Sequence, residues 1–322
     1  MTHAPTPPVA PTRGSGSQRS TLTTADGSPL ALYDWPVADG TPRGTVLIVH
    51  GLGEHAGRFT ALAARLNAAG WSVRAYDQYG HGESARQGAG RRGALARPLQ
   101  LPEHLAEVAA ATRAALGGPP PTTASPTTAG PPPLIVLGHS LGGLVAASAV
   151  MHGLLRPDGL VLSSPALAVD MAAWQRAAVG WLPRIAPDLT LGNGLKPEYL
   201  SHDPAVVAAY EADPLVHDRL CARLGAFVAT EGEAVCAAAG GWRVPTLLLY
   251  AGDDRLVAPR GSDAFAAAAA AGGASVTAVR FPALYHEVFN EPEPAGPGPA
   301  AAPTDPTASP FRALAAWLDA RG

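Results

Sequence analysis

An α/β architecture, with a mostly parallel sheet covered by helices on both faces and an inserted helical cap, is the fold class this sequence predicts. Three observations carry it. Short apolar runs such as TVLIVH (45–50) and LIVL (134–137) have no polar face, as expected of strands buried on both sides. Helical patterns lie between such runs, and strand alternating with helix is the pattern that builds a parallel sheet. Over 166–240 the alternation stops. That stretch holds Trp174, Trp181, several prolines and short helical patterns but no clear strand. An insertion there would sit at the carboxyl ends of the strands, where open α/β sheets bind ligands.

Taken in order, residues 1–18 are rich in Pro, Ser, Thr and Gly and read as a disordered tail. Two β-prone runs flank Asp26-Gly27, a hairpin signal. The strand at 45–50 leads through a glycine-punctuated loop into a helix over 59–69. A strand at 71–77 and a helix at 101–116 follow. GGPPPTTASPTTAGPPP (117–133) has little apolar surface to bury and is expected to be a flexible, dispensable surface loop. A strand at 134–137 runs straight into a helix at 141–150, and a strand at 159–165 comes next. After the insertion come a strand at 244–252, a helix at 261–272 and a strand at 275–281. A second Pro/Ala-rich loop occupies 291–309, and an amphipathic helix closes the chain at 310–320. The expected division is a tail over 1–18, a core over 19–165 and 241–322, and a cap over 166–240.

Composition narrows the function. Hydrophobic residues at 47% and charged residues at 15% suffice for a large core and exclude global disorder. A net charge of −3, with Arg91-Arg92 the one adjacent basic pair, leaves no footprint for nucleic acid. Cys221 and Cys236 are expected to be buried thiols rather than a disulfide, as in a reduced compartment. No basic stretch followed by an apolar one opens the sequence, and no run approaches membrane-spanning length. A soluble, cytoplasmic protein is the expectation.

The chemistry centres on Gly138-His139-Ser140-Leu141-Gly142, a G-x-S-x-G pattern set between strand and helix. In such a turn the serine backbone is strained, and glycine two places to either side removes the clash a side chain would make. A serine hydroxyl is a poor nucleophile without a base, and the base needs a carboxylate to orient it and balance its charge. On this kind of sheet the chain order is serine, acid, histidine. His286 is the one histidine beyond both the turn and the insertion, just past the last strand. Asp253 and Asp254 follow the preceding strand. Asp254 is favoured because Asp254-Arg255-Leu256-Val257 gives the D-x-x-V pattern usual at that turn. Backbone N–H donors for an oxyanion are expected from Leu141, at the positive end of its helix, and from Leu52 in the loop His50-Gly51-Leu52-Gly53.

Other features read as structure. His139 is expected to pack, fixing the turn, with its side chain away from the nucleophile. His50, His55, His81 and Asp77 lack a metal-ligand spacing. Gly51, Gly53, Gly80 and Gly82 do not form G-x-G-x-x-G at a helix start. No metal or organic cofactor is expected. Trp174 and Trp181, seven apart on one helix face, suit either a core or the wall of an apolar channel, with Leu182, Ile185 and Leu189 beside them.

HGLGEHAGRF, YDQYGHGES, GHSLGG, LSHDPAVVAAYEADPLVH, GDDRLV and YHEVFNEP together resemble the monoacylglycerol lipase and lysophospholipase family of α/β-hydrolases, over residues 20–320. The resemblance implies the α/β-hydrolase fold and the triad Ser140, Asp254 and His286, with Leu52 and Leu141 as oxyanion donors. It also implies a cap forming an apolar acyl tunnel, with Glu54 and Arg58 near its polar end. The two Pro/Ala-rich insertions and the long tail depart from the family pattern. The expected activity is a serine carboxylic-ester hydrolase that releases a fatty acid from monoacylglycerol or a similar single-chain lipid ester. The alternatives are a lysophospholipase, a general carboxylesterase and a non-enzymatic ligand-binding receptor on the same scaffold. Small-molecule lipid esters are the expected partners, with weak peripheral contact to a membrane through the cap.

Overall fold

The computed structural model describes residues 17–38, 40–116, 131–292 and 308–321. In chain order the strands are β1 (Gln18–Thr23), β2 (Pro29–Trp35), β3 (Thr45–Val49), β4 (Ser72–Tyr76), β5 (Leu134–His139), β6 (Gly159–Ser163), β7 (Thr190–Gly192), β8 (Arg219–Cys221), β9 (Thr246–Ala251) and β10 (Val276–Phe281). The helices are α1 (Thr60–Ala68), α2 (Gly82–Arg86), α3 (Gln100–Leu116), α4 (Leu141–Met151), α5 (Ala173–Ile185), α6 (Pro204–Ala212), α7 (Ala222–Ala238), α8 (Pro259–Ala271) and α9 (Pro310–Asp319).

Eight strands form one sheet in the order β1-β2-β4-β3-β5-β6-β9-β10. β2 pairs antiparallel with both β1 and β4, and every other neighbour is parallel. Successive side chains of a strand face opposite ways, so the apolar runs feed two cores. Leu47, Val49, Val136, Leu160 and Leu248 pack beneath α3, α4, α7 and α8, with Leu105, Leu144, Leu224 and Phe265. Val46, Ile48, Ile135, Leu137 and Leu249 pack on the other face against α1 and α9, with Leu62, Leu66, Leu314 and Trp317. Helix α9 starts as its sequence suggests: Ser309 caps it by accepting from Arg312 N at 3.3 Å, and Pro310 opens the first turn.

The chain departs from the sequence reading in several places. Gln18 already belongs to β1, so the end of the expected tail is a strand, and residues 1–16 lie outside the described residues. Of the expected loop 117–133, residues 117–130 lie outside the described residues, as do 293–307 of the loop 291–309. The strand expected over 159–165 stops at Ser163, because Ser164 takes a positive φ of 38°. The segment between β6 and β9 does contain strands: β7 and β8 pair antiparallel, Thr190 opposite Cys221 and Gly192 opposite Arg219. That segment is also not wholly separate from the core, since α7 buries Leu224, Phe227 and Val235 in the same cluster as Leu144 and Val145 of α4. Cys221 is buried, Cys236 is half-buried, and both are free thiols. Among the described residues, no helix is long and apolar enough to cross a membrane.

Candidate active site

β5 ends at His139, α4 begins at Leu141, and Ser140 makes the turn between them alone. Its backbone sits at φ 53°, ψ −120°. Among the described residues, Ser140 and Ser164 are the two non-glycine positions with positive φ. A side-chain-bearing residue there costs on the order of 1–3 kcal/mol and persists only where its surroundings over-determine it. They do so here. Ser140 N donates to Ser163 O at 2.9 Å, and Ser140 O accepts from Leu144 N at 3.1 Å and from Ala166 N at 3.0 Å. The flanking glycines answer to close approach rather than to φ. A Cβ on Gly138 would run into the Gly142 carbonyl, and one on Gly142 into the carbonyls of Val49 and His50.

Asp254 lies in the turn after β9, with Oδ1 accepting from Leu256 N and Val257 N, both at 2.9 Å. Its other oxygen, Oδ2, is 2.6 Å from His286 Nδ1. Both side chains are almost wholly enclosed, at 3% and 5% exposure. Burial disfavours either charge, but the pair outweighs it. Burial opposes the imidazolium, yet the Asp254 charge and hydrogen bond raise His286 above its ordinary value, helped by Glu287 and Glu54. Burial likewise opposes the carboxylate, yet His286 and the two backbone donors hold Asp254 below the usual range. Asp253 instead pairs with Arg255 at 3.1 Å, with both side chains open to solvent. The structure therefore brings Asp254, not its neighbour, to the histidine. The turn carrying His286 is gripped by the segment between β6 and β9: Glu287 N donates to Leu200 O at 2.8 Å and His286 N to Tyr199 O at 3.4 Å.

Ser140 and His286 border one cavity of about 70 Å³, together with Leu52, Leu141, Gly51 and His139. Leu141 is the first residue of α4, so its N–H belongs to the unpaired first turn. The Leu52 loop lies against the serine: a Cβ on Gly51 would stand 3.1 Å from Ser140 Cβ. The His139 ring packs 4.8 Å from that of His286, with Nδ1 3.2 Å from Ser163 Oγ. Burial, then the His286 charge, push it down to about 3, so it stays neutral and acts as packing.

A larger cavity of about 800 Å³ adjoins the small one. Leu52, Val169, Leu195, Val228, Leu256 and Val257 border both. Trp174 and Leu182 line the large cavity, but Trp181, Ile185 and Leu189 do not. Trp181 is 52% exposed and Ile185 68%, and Trp174, at 72%, is exposed as well as lining the cavity. The channel-wall reading of Trp181 is corrected accordingly.

Glu54 and Arg58 both border the small cavity, as the resemblance implies, but they also bind one another, with Arg58 Nη1 2.5 Å from Glu54 Oε2. Glu287, which the sequence reading passed over, receives the rest of the guanidinium: Nη1 to Oε1 at 2.6 Å and Nη2 to Oε2 at 2.9 Å. Its signal was a carboxylate directly after the base, in a turn otherwise read for the histidine alone. His50 and Asp77 serve the scaffold. Asp77 accepts from Ala56 N, Glu83 N and the Tyr33 hydroxyl, and His50 Nε2 accepts from Gln78 N at 2.9 Å. Among the described residues, no group of three or more His, Cys, Asp or Glu is arranged to hold a metal ion.

Comparison with known proteins gives the family. A family model described as serine aminopeptidase, S33, matches residues 40–293. A monoacylglycerol lipase of Mycolicibacterium smegmatis is 36% identical over 268 residues, 81% of this chain and 88% of that protein. The crystal structure of a Paleococcus ferrophilus monoacylglycerol lipase superposes with a TM-score of 0.71 at 32% identity, over 91% of this chain and 99% of that one. A soluble variant of the Saccharomyces cerevisiae monoglyceride lipase, in complex with a substrate analogue, shares the fold with a TM-score of 0.75 at 19% identity, over 98% of this chain and 99% of that one.

Proposed function

Because the chain belongs to the serine aminopeptidase S33 family of α/β-hydrolases, we propose that it is a serine ester hydrolase that cleaves monoacylglycerols, with Ser140 as nucleophile, His286 as base and Asp254 as its orienting carboxylate. One observation carries the reading: the largely apolar cavity of about 800 Å³ shares apolar lining side chains with the cavity of Ser140 and His286. An acyl chain in the first brings its ester carbonyl into the second. Each CH₂ buried there contributes roughly 0.8 kcal/mol, so the chain is held without a charged contact.

His286 takes the Ser140 proton as Oγ attacks the ester carbonyl, and the oxyanion rests on the N–H groups of Leu52 and Leu141. Asp254, on Nδ1, fixes the tautomer and offsets the imidazolium charge. The tetrahedral species collapses, the C–O bond to glycerol breaks, and the imidazolium protonates the departing alkoxide. Water, deprotonated by the same histidine, then attacks the acyl-serine carbonyl, the bond to Oγ breaks, and the imidazolium returns its proton to Ser140 as the fatty acid leaves. No group beyond the chain and water is required.

The segment between β6 and β9 acts in this reading as the cap over the acyl cavity, spanning roughly the expected 166–240. Trp181, Ile185, Leu189 and Leu191 are all exposed on it. Such an apolar patch suits weak peripheral contact with a lipid surface, from which a single-chain ester is drawn. A cytoplasmic location fits the two free thiols. The test compares kcat/KM for monoacylglycerol, lysophospholipid, triacylglycerol and butyryl ester, the first three built from the same fatty acid. Monoacylglycerol should lead. Equal turnover of triacylglycerol, or activity restricted to the butyryl ester, contradicts a one-chain cavity.

A further inference from the structure

The reaction as derived leaves one buried carboxylate beside the base without a task. Glu287 follows His286 directly, and its side chain is 4% exposed. Arg58 grips it with two N–H groups, at 2.6 and 2.9 Å, and Asn290 Nδ2 donates to Oε2 at 2.8 Å. The same guanidinium reaches Glu54 Oε2 at 2.5 Å, and Glu54 Oε1 accepts from Gly51 N at 2.6 Å. Gly51 immediately precedes Leu52. The Arg58 guanidinium also lies over the Tyr210 ring of α6, 4.8 Å from its centroid. Carboxylate, guanidinium and carboxylate thus form a continuous bridge from the turn of the base to the loop of the oxyanion donor. The two lie far apart in sequence, and no strand or helix joins them.

We infer that Glu287 is a positioning residue: through Arg58 and Glu54 it ties the turn of His286 to the loop of Leu52, so that base and oxyanion donor keep one fixed relation around Ser140. The inference rests on the reaction proposed above. Bidentate pairing of Arg58 with Glu287 fixes both angle and distance, which a single contact does not. The bridge holds two negative groups to one positive. Burial, with the Glu287 charge, raises Glu54, whereas burial at Glu287 is outweighed by Arg58, which holds it below the usual carboxylate range. The Glu287 charge is therefore the one that stands beside the ring that becomes imidazolium during attack. The titratable and charged groups facing His286 are Asp254 from the turn after β9, Glu287 from its own turn, Glu54 and Arg58 from the loop after β3, and His139 from β5. His139 is neutral, so the balance around the base is negative and favours its protonated form.

The competing reading gives the same three side chains to the glycerol headgroup, since all border the small cavity. Two substrates separate the readings: a monoacylglycerol and the methyl ester of the same fatty acid. A fluorophosphonate first marks Ser140 in the wild-type protein. No adduct there brings down the proposed reaction and this inference with it, and the outcomes below then concern Glu287 alone. In Glu287→Gln, kcat is expected to fall about 10²-fold on both esters alike, with KM little changed, as for a small misplacement of catalytic groups. The acid limb of kcat/KM should also move to lower pH, because a negative neighbour of His286 is gone. A loss confined to the glyceryl ester and expressed in KM overturns the inference, as does an unchanged kcat and pH profile. Removing one member of a buried charge group can unfold a protein, whereas removing all of them leaves no charge unpaired. Glu54→Gln/Arg58→Met/Glu287→Gln therefore serves as the second variant. It should melt cooperatively and still show the loss in kcat on both esters, and wild-type kcat in that variant overturns the positioning role.

Discussion

Ser140 is held in a backbone conformation that only its setting maintains, and the same setting explains why the pattern around it was readable. A strand, a strained serine, two close-approach glycines and a helix start each leave a residue-level mark, and all fall within 134–150. Asp254 was legible for a similar reason: its Oδ1 closes a turn on Leu256 N and Val257 N, which the D-x-x-V spacing encodes. Asp254→Asn should lower kcat on the order of 10⁴-fold, since it removes the charge and favours the wrong tautomer. Asp253→Asn, in an exposed pair with Arg255, should change it little. Steady-state kinetics of the two variants decides between the neighbours, and the reverse ranking contradicts the assignment. The base must be neutral to act. With His286 raised above the ordinary 6.5, kcat/KM should rise with pH through a midpoint above that value. In Asp254→Asn the midpoint should drop. Glu287 left no signal but its place directly after His286, because nothing local to its turn reports that Arg58 lies within reach.

At the scale of the element, long apolar strands and the closing helix were plain in the sequence, while β7 and β8 were not. Each has three residues, and α6 lies between them in the chain, so neither shows the alternation that marks a strand. Helix α5 shows a different limit. Periodicity assigns Trp174 and Trp181 to a common face but says nothing of which way that face points. Here both rings are exposed, Trp174 at 72% and Trp181 at 52%, and of the two only Trp174 also lines the cavity. The two tryptophans should therefore separate by function. Trp174→Ala should change the preference for acyl chain length in kcat/KM. Trp181→Ala should leave that preference alone and weaken co-sedimentation with lipid vesicles. Matching effects of the two substitutions in both assays would contradict the placement.

Across the whole molecule, the segment between β6 and β9, the Leu52 loop and the loop after β4 meet on buried histidines. His217 N donates to Gly53 O at 2.8 Å, and His217 Nε2 lies 3.1 Å from Gly80 O. The His81 ring stands 4.9 Å from His217 and 5.3 Å from His50. Burial first, then the neighbouring imidazoles, hold His50 well below its ordinary value and His81 at about 3. Burial is also the main cause that holds His217 at about 4. These groups bind protons more readily once unfolded, near 6.5. Their contribution is fully present above that pH and is lost as pH falls toward about 4. Below about pH 6.5, each such histidine adds about 1.4 kcal/mol of lost stability per pH unit. Tm should fall steadily over that window, and His217→Asn should flatten the slope. An equal slope in the variant would place the acid sensitivity elsewhere. None of this convergence was legible in sequence, because the three histidines come from separate loops.

Mass mapping of the fluorophosphonate-treated protein, read beside monoacylglycerol hydrolysis by Ser140→Ala, asks most directly whether Ser140 bears the acyl group. A single adduct on the peptide carrying Ser140, with at least about 10³-fold loss of kcat in the alanine variant, is the expected result. An adduct on another serine, with hydrolysis retained in Ser140→Ala, would contradict it.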